Sequence, residues 1–301
     1  MHDRFWLMDE YFWTKRERLT SYLAFTQSGG TSSDADAAAG LSEERVWEGI
    51  HTYAQDEPYF YSDATWVDDR VTAEDVEQIK AVLDRLGISA WWDSPVARDD
   101  QQAVRLLGGI HRPLPFPPDG DPASDLRDWV HEAQTSGGDG TWWTPPLGRN
   151  VVMTSRSRPF APAVALVGGE DELGYGRADV YSASPISPDA RIYEIACGED
   201  WLNLVRVAPA DVTVSRVSNW GRFDRTARWY LPNWVELSAV YDAVHLTVNA
   251  YLDLSGIPQE CPGGFTMITG WGADETYWLN APAVVWNGPR RVARQGGIYW
   301  G

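Results

Sequence analysis

The sequence predicts an α+β fold, in which a helical N-terminal region precedes a largely antiparallel, twisted sheet. Apolar residues recur with the helical period in the first third of the chain and with the alternating period of strands afterwards. A proline-rich stretch, residues 111–122, separates the two parts and can sustain neither a helix nor a central strand. Few long helices lie between the later strands, which argues against a doubly wound sheet. We therefore expect a mainly helical region over residues 1–120 and a mainly β domain, with the site, over residues 121–301.

Helical signals are concentrated in the N-terminal region. Aromatic and apolar side chains predict helix from residue 1 to about residue 27, and the small polar residues 28–40 predict a flexible segment. The clearest helix is TAEDVEQIKAVLDRLG, which Thr72 caps and Gly87 ends. Further helices are predicted after Ser42, over residues 99–109, over residues 123–136 and from Pro232 onwards.

The β domain is predicted from short apolar or alternating runs that glycine and proline separate. No internal repeat relates these runs to one another. The candidate strands cover residues 150–155, 161–168, 178–184, 190–196, 211–217, 243–252, 264–270, 275–280 and 283–288.

The charge balance limits the choice of partners. The chain has 25 lysines and arginines against 43 aspartates and glutamates, which gives a net charge of −18. Such an acidic chain is repelled by the phosphates of nucleic acids and by anionic lipids, so we expect neither nucleic acid nor membrane as a partner. The sequence shows no secretory signal and no run of about 18 apolar residues. These features predict a cytoplasmic protein in which Cys197 and Cys261 are reduced thiols.

Standard catalytic and metal-binding motifs are absent from the sequence. The histidines and cysteines lack the spacing of a metal site, so we expect no metal. No glycine-rich phosphate loop follows a strand, which argues against a Rossmann or P-loop nucleotide site. No Gly-x-Ser-x-Gly motif marks a nucleophile. Any catalytic site is then one assembled from residues that lie far apart in sequence.

The segment RNVVMTSRSR gathers positive charge in an otherwise acidic chain. Arg149, Arg156 and Arg158 surround two hydroxyl residues, Thr154 and Ser155, at the end of a predicted strand. A guanidinium presents paired donors that suit a phosphate or a carboxylate, and a hydroxyl adds another hydrogen bond. The segment predicts either an anion-binding strand end or solvated arginines that balance nearby acids.

His245 lies in the predicted strand AVHLTVNAYL. Strand alternation places His245, Thr247, Asn249 and Tyr251 on one face of that strand. Four hydrogen-bonding side chains on one face either line a cleft or form the solvated face of an antiparallel sheet. The sequence leaves both interpretations open.

The stretch FTMITGWGADETYWLN combines a tight loop with an acidic pair at the start of a strand. A carboxylate in that position, after a loop with an exposed aromatic ring, is held rigidly and can stabilise a developing cation. Trp271, Asp274 and Glu275 fit this description. The alternative is a plain hairpin in which Asp274 and the glycines form the turn and Trp271 packs on a neighbour.

The order of MTSR, ARIYEIACG and the glycine-tryptophan loop resembles the mono-ADP-ribosyltransferase superfamily over the C-terminal half of the chain. By this resemblance Thr154 and Ser155 match the strand that braces the NAD pocket, for which residues 181–185 are a second candidate. Trp271 matches the aromatic residue of the recognition loop, and Glu275 matches the catalytic glutamate. The longer pattern from ARIYEI to TYWL is also similar to an actinobacterial protein family.

The resemblance further implies an arginine or histidine on an early strand, and Arg45 and His51 are the candidates for it. Because the positive cluster of residues 149–158 would face the one loop that leads into a carboxylate, we expect Thr154 or Ser155 to lie across one cleft from Glu275, with an arginine of that cluster at the rim.

The function that the resemblance implies is cleavage of NAD, with transfer of ADP-ribose to an acceptor that can be a protein. NAD is then the substrate, and the reaction needs no metal. A glutamate held by the ribose hydroxyls stabilises the oxocarbenium-like transition state. The residues implied are Glu275, Ser155 and Thr154 for catalysis, Arg149, Arg156 and His245 for binding the dinucleotide, and Trp271 and Asp274 for recognising the acceptor.

Two other functions fit the composition. An acidic, aromatic-rich module would bind a basic protein partner through its negative surface. A metal-free lyase or cyclase of secondary metabolism would use an aromatic pocket. Affinity for NAD with release of nicotinamide distinguishes the first function from both alternatives.

Overall fold

The computed structural model describes residues 14–27, 41–54, 72–108, 115–137, 142–169, 175–221 and 223–301. Within them the chain forms nine helices and a large, mostly antiparallel sheet, so the predicted α+β class is confirmed. The predicted flexible segment 28–40 and the first part of the predicted N-terminal helix lie outside the described residues.

The helices alternate irregularly with the strands along the chain. The helices are α1 (Lys15–Gln27), α2 (Glu43–Gly49, continued by a π-helical turn, Ile50–Ala54), α3 (Ala73–Arg85), α4 (Pro122–Thr135), α5 (Ala165–Gly168), α6 (Gly198–Val207), α7 (Thr213–Trp220), α8 (Trp234–Ser238) and α9 (Val248–Leu254). The strands are β1 (Gln102–Leu107), β2 (Val152–Ser155), β3 (Arg177–Ala183), β4 (Ile192–Ile195), β5 (Pro209–Asp211), β6 (Tyr230–Pro232), β7 (Ala243–Leu246), β8 (Gln259–Cys261), β9 (Gly264–Thr266), β10 (Thr276–Trp278), β11 (Trp286–Gly296) and β12 (Tyr299–Trp300).

Eight strands form the main sheet in the order β12-β11-β3-β1-β2-β10-β7-β4. Neighbouring strands run antiparallel except β4 and β7, which are parallel. The pairs β5-β6 and β8-β9 form two small antiparallel ribbons. β1 comes from the predicted helical region, yet it lies near the middle of the sheet. The N-terminal region therefore contributes to the same sheet as the C-terminal strands.

The predicted cap of α3 is present. Thr72 Oγ1 accepts a hydrogen bond from the backbone N–H of Asp75, and the Asp75 carboxylate accepts one from the backbone N–H of Thr72. This reciprocal pair satisfies two of the donors that every helix start leaves unpaired. Hydrogen bonding to Thr72 also lowers the pKa of Asp75.

Three predictions of secondary structure are wrong. The helix predicted over residues 99–109 is the strand β1, which pairs on both sides and buries Ala103. The strand predicted over residues 211–217 is mostly the helix α7, because Arg216 and Trp220 share one face, four residues apart, and are both buried. The strand predicted over residues 161–168 is absent: Ala161 forms one isolated bridge with Arg158, and residues 165–168 form the short helix α5.

The predicted strand over residues 243–252 is also shorter than expected. β7 ends at Leu246, and Thr247 caps α9 by accepting a hydrogen bond from the N–H of Ala250 at 3.2 Å. Asn249 therefore lies on a helix, and it does not share a strand face with His245. The polar face predicted from strand alternation is wrong beyond the end of β7.

Tryptophan builds much of the core. Seven tryptophans are among the largest fully buried side chains: Trp47, Trp92, Trp201, Trp220, Trp229, Trp234 and Trp271. Several of them pack edge to face, the geometry that the ring quadrupole favours. Cys197 and Cys261 are free thiols. Within the described part of the chain, no helix is long and apolar enough to cross a membrane.

Candidate functional site

Side chains from four strands form one row on a face of the main sheet. Thr154 of β2 pairs with Thr276 of β10, and Thr276 pairs in turn with His245 of β7. His245 also pairs with Glu194 of β4. Directly paired residues of neighbouring strands share a face, so these side chains point to the same side of the sheet. The fold thus brings two of the predicted site residues, Thr154 and His245, into one row.

Asp274, in the loop before β10, contacts both Arg156 and His245. Its carboxylate accepts hydrogen bonds from the backbone N–H of Arg156 at 2.9 Å and from the Arg156 Nε at 2.7 Å. His245 Nε2 lies 3.3 Å from Oδ1 of the same carboxylate. All three residues are buried. Removing one partner of such a group would leave an unpaired charge in the interior, which fixes the arrangement strongly.

His245 bridges two carboxylates. Its Nδ1 contacts Glu194, and its Nε2 contacts Asp274. Burial by itself lowers the pKa of His245, but the hydrogen bonds to Asp274 and Glu194 outweigh it and raise the pKa to about 9. Both ring nitrogens therefore carry protons at neutral pH, and the ring is positively charged. A histidine in this state holds Asp274 in place and is not available as a general base.

Arg156 and Arg158 lie over one indole ring. The Arg156 guanidinium is 4.5 Å and the Arg158 guanidinium 5.0 Å from the ring centroid of Trp91. Arg156 also donates to the carbonyl of Pro95 at 3.2 Å, and Arg158 pairs with Glu43. The charges of these two arginines are therefore balanced by acids of the protein itself, as in the second interpretation of this segment, although Arg156 is buried and only Arg158 is partly exposed.

Asp274 adopts an unusual backbone conformation. Its φ of 60° lies in the left-handed region and is the one positive φ of a non-glycine residue in the described part of the chain. Such conformations cost about 1–3 kcal/mol and persist where the surroundings hold them. The hydrogen bonds from Arg156 and His245 supply that constraint. The following residue, Glu275, is thereby set at the start of β10.

Glu275 lies on the opposite side of the sheet from the row. Tyr277 alternates with Thr276 along β10, and its hydroxyl donates to Glu275 Oε2 at 3.3 Å. The backbone N–H of Gly272 donates to the same oxygen at 2.8 Å. Glu275 Oε1 has no hydrogen-bond partner among the described residues. Two hydrogen bonds thus fix one carboxylate oxygen, and none from the described residues reaches the other.

Two glycines lie against the unpaired oxygen. A Cβ atom at Gly272 would come within 2.6 Å of Glu275 Oε1, and one at Gly169 would come within 3.5 Å. A side chain at position 272 would collide with the carboxylate, so glycine is required there. Because both residues are glycines, neither places a side chain beside Oε1.

The ionisation of Glu275 is strongly shifted. Only 4% of the residue is exposed, and this burial raises the pKa of the carboxyl to about 7 against the hydrogen bonds from Gly272 and Tyr277. Burial also raises the pKa of Tyr277 well above its usual range. A carboxyl that titrates near neutral pH can hold or release a proton under physiological conditions.

Trp271 does not lie on the surface, so the expectation of an exposed loop aromatic is wrong. Its relative exposure is 0%, and its ring meets Tyr277 edge-on at 5.2 Å and Trp234 at 5.9 Å. Its Nε1 donates to the backbone carbonyl of Glu275 at 3.1 Å. This agrees with the alternative in which the tryptophan packs on its neighbours. The residue positions the backbone of Glu275 instead of contacting an acceptor in solution.

Thr154 and Ser155 lie beside β10 in the sheet and not across a cleft from it. Thr154 Oγ1 donates to Gln101 at 2.6 Å and accepts from the Trp278 indole at 3.0 Å. Ser155 Oγ accepts from the backbone N–H of Ala165 at 3.0 Å. Both hydroxyls are already hydrogen-bonded within the protein, so these residues support the strand next to Glu275.

The remaining candidates are dispersed. Arg149 is exposed, and its side chain has no hydrogen bond or ion pair within the described ranges. Arg45 lies in the first turn of α2. His51 Nδ1 lies 3.1 Å from the carbonyl of Val167, at the helix that precedes Gly169. Residues 181–185 overlap the end of β3, which β1 and β2 separate from β10.

Sequence reasoning missed Glu194, Tyr277 and Trp91. Glu194 and Tyr277 occupy predicted strands, but the pairing of Glu194 with His245 depends on strand order, which the sequence did not reveal. An aromatic residue two positions after a candidate glutamate is a usable signal, because residues i and i+2 of a strand share a face. No local pattern identifies Trp91 as the ring beneath Arg156.

The described residues include no group of three or more His, Cys, Asp or Glu side chains arranged to hold a metal ion. No protein family, curated protein or solved structure matches this chain.

Proposed function

We propose that the protein cleaves the bond between nicotinamide and ribose in NAD, and that Glu275 stabilises the positive charge that develops on the ribose. The observation that carries this proposal is the unequal use of the two carboxylate oxygens. Oε2 is held by Gly272 and Tyr277, whereas Oε1 has no partner in the described part of the chain and lies beside Gly169.

The neighbourhood of Glu275 supports the proposal in a second way. The hydroxyl-bearing strand β2 pairs directly with β10, so Thr154 lies opposite Thr276, the residue after the glutamate. The hydroxyl-bearing strand is therefore adjacent to the strand that follows Glu275, and not across a cleft from it as the sequence predicts. Asp274, Arg156 and His245 then act behind the carboxylate as positioning residues, because they fix the backbone of the residue before it.

The reaction proceeds by departure of neutral nicotinamide with the electron pair of the glycosidic bond. An oxocarbenium-like ribose remains, and the ionised Glu275 stabilises it through Oε1 and through a hydrogen bond from a ribose hydroxyl. Water, or the nucleophilic group of an acceptor, then bonds to the ribose carbon and loses a proton. Hydrolysis thus converts NAD and water into nicotinamide, ADP-ribose and one proton.

The test is release of nicotinamide from NAD by the purified chain, measured beside Glu275→Gln and Glu260→Gln. Glu275→Gln retains the shape but removes the charge, so turnover should fall on the order of a hundredfold while NAD binding survives. Glu260 is exposed on β8, and its replacement should leave turnover unchanged. Absence of both nicotinamide release and calorimetric NAD binding in the wild type would overturn the proposal. Equal turnover of the two variants would remove Glu275 from the mechanism.

A further inference from the structure

A cavity of about 260 Å³ lies at the junction of α1, α3 and α9, outside the candidate site. Ala196, directly after β4, also lines it. Its polar lining includes Arg16 of α1, Lys80 and Asp84 of α3, Asp93 of the following turn and Asn249 of α9. Leu83 and Trp92 contribute apolar lining. The lining therefore combines both signs of charge with hydrophobic surface.

Arg16 is the fixed positive group of this cavity. The residue is 5% exposed, and its Nε and Nη2 are bound by Asp253, with Asn249 Oδ1 accepting a further hydrogen bond from Nη2 at 2.7 Å. Its Nη1 has no partner within the described ranges. A buried guanidinium held on one side by a carboxylate presents its remaining donors in a fixed direction.

Lys80 adds a second positive group, since its ammonium contacts only the exposed Glu77 among the described residues. The negative groups are Asp84, Asp93 and Asp253, of which Asp253 is already paired with Arg16. Asp84 accepts a hydrogen bond from the hydroxyl of Ser89, and Asp93 has no hydrogen bond or ion pair in the described part of the chain. Positively charged donors and negatively charged acceptors therefore line the same cavity, and both kinds of group can form further hydrogen bonds.

We propose that this cavity binds a small zwitterion of amino-acid size, whose carboxylate meets Arg16 and Lys80 and whose ammonium meets Asp93 and Asp84. Such a ligand satisfies both signs of charge at once, whereas a simple anion or a simple cation leaves one set unmatched. A volume of about 260 Å³ accommodates a molecule of this size. The proposal does not depend on NAD cleavage, because none of the lining residues belongs to the candidate site.

The binding test uses calorimetric titration of the full chain with L-lysine and 6-aminohexanoate, which carry both charges. Hexanoate and pentylamine, which each carry one, are the comparison ligands. We expect L-lysine and 6-aminohexanoate to bind with dissociation constants of about 1 mM or lower. Each singly charged analogue should bind at least tenfold more weakly. Pentylamine or hexanoate binding as tightly as L-lysine would overturn the proposal, and so would absence of binding by all four ligands.

Surface variants test the assignment without disturbing the buried ion pair of Arg16. Asp93→Asn should weaken L-lysine binding at least fivefold, and Lys80→Gln should weaken it similarly. Asp99→Asn is the matched control, because Asp99 is an exposed aspartate of the same connecting segment that does not line the cavity. Equal affinities of Asp93→Asn and Asp99→Asn would contradict the proposed role of Asp93. Melting temperatures of all three variants should match the wild type.

Discussion

Arg156 binds Asp274 twice, through its backbone N–H and through its side-chain Nε, although the two residues are 118 positions apart in the sequence. The contact joins the end of β2 to the residue before Glu275. The positive charge of Arg156 compensates the Asp274 carboxylate, which is buried away from water. The same contact holds Asp274 in the left-handed conformation.

The replacement Asp274→Asn tests this contact. Asparagine tolerates the same backbone conformation but removes the negative charge, which leaves the buried guanidinium of Arg156 uncompensated. We expect the free energy of unfolding in urea to fall by about 3–5 kcal/mol. Glu199→Gln is the control, because it removes an exposed partner of Arg206 and should have little effect. A small loss for Asp274→Asn would show that water reaches this ion pair.

Because His245 is protonated in the folded chain, the free energy of unfolding should decrease as the pH becomes alkaline. The pKa of His245 is about 9 in the folded chain, above its ordinary value of 6.5, because the bonds to Asp274 and Glu194 outweigh burial. The folded state therefore binds the proton more tightly than the unfolded state. The protonation of His245 therefore adds ~3 kcal/mol to the free energy of unfolding. This stabilisation is fully present below pH 6.5 and is lost as the pH rises through 9. Unfolding free energies from pH 6 to 10 should show this loss in the wild type and not in His245→Gln.

The raised pKa of Glu275 makes the free energy of unfolding decrease as the pH rises through a lower range. Its pKa is about 7 in the folded chain and 4.5 in the ordinary state, because burial disfavours the charged form. The folded state thus retains a proton that the unfolded state has lost, and stability declines as the pH rises from 4.5 through 7. Glu275→Gln should unfold at a higher temperature than the wild type at pH 8 and at a similar temperature at pH 4.5. If Glu260→Gln shows the same gain at pH 8, the cause is the net charge and not Glu275.

The burial of Trp271 predicts a structural effect of its removal. Trp271→Ala leaves a cavity among Trp201, Trp234 and Tyr277 and should lower the free energy of unfolding by about 3–5 kcal/mol. Tyr299→Ala removes an aromatic ring that is 44% exposed and should cost much less. Comparable losses in urea denaturation would contradict the packing described for Trp271.

The sequence was informative where a local signal decides the structure. Thr72 marks the start of α3 because its hydroxyl and Asp75 form a capping box, which needs no tertiary contact. Thr247 gives a similar local signal, because its hydroxyl caps α9 and the strand predicted over residues 243–252 stops before it. The alternation of apolar and polar residues around Thr247 favoured a longer strand, but the capping hydrogen bond ends the strand and starts the helix.

The site was predictable only in part, because its geometry depends on strand order. Glu275 and the hydroxyls of Thr154 and Ser155 were singled out from the sequence, and they lie on neighbouring strands. Their burial could not be read from local composition. Trp271 lies in a glycine-rich loop, which is typical of the surface, yet it packs against tryptophans from α6 and α8. Only the full set of tertiary contacts distinguishes the two outcomes.

The short strand β10 has a consequence for how the chain folds. Its three residues connect the half of the sheet that contains β12, β11, β3, β1 and β2 with the half that contains β7 and β4. The contact from Trp278 to Thr154 closes a span of 124 positions, so it requires a large loss of chain entropy before any stabilising contact is gained. We therefore expect the joining of the sheet at β10 to be among the slow steps of folding, together with the similarly distant pairing of β11 with β3.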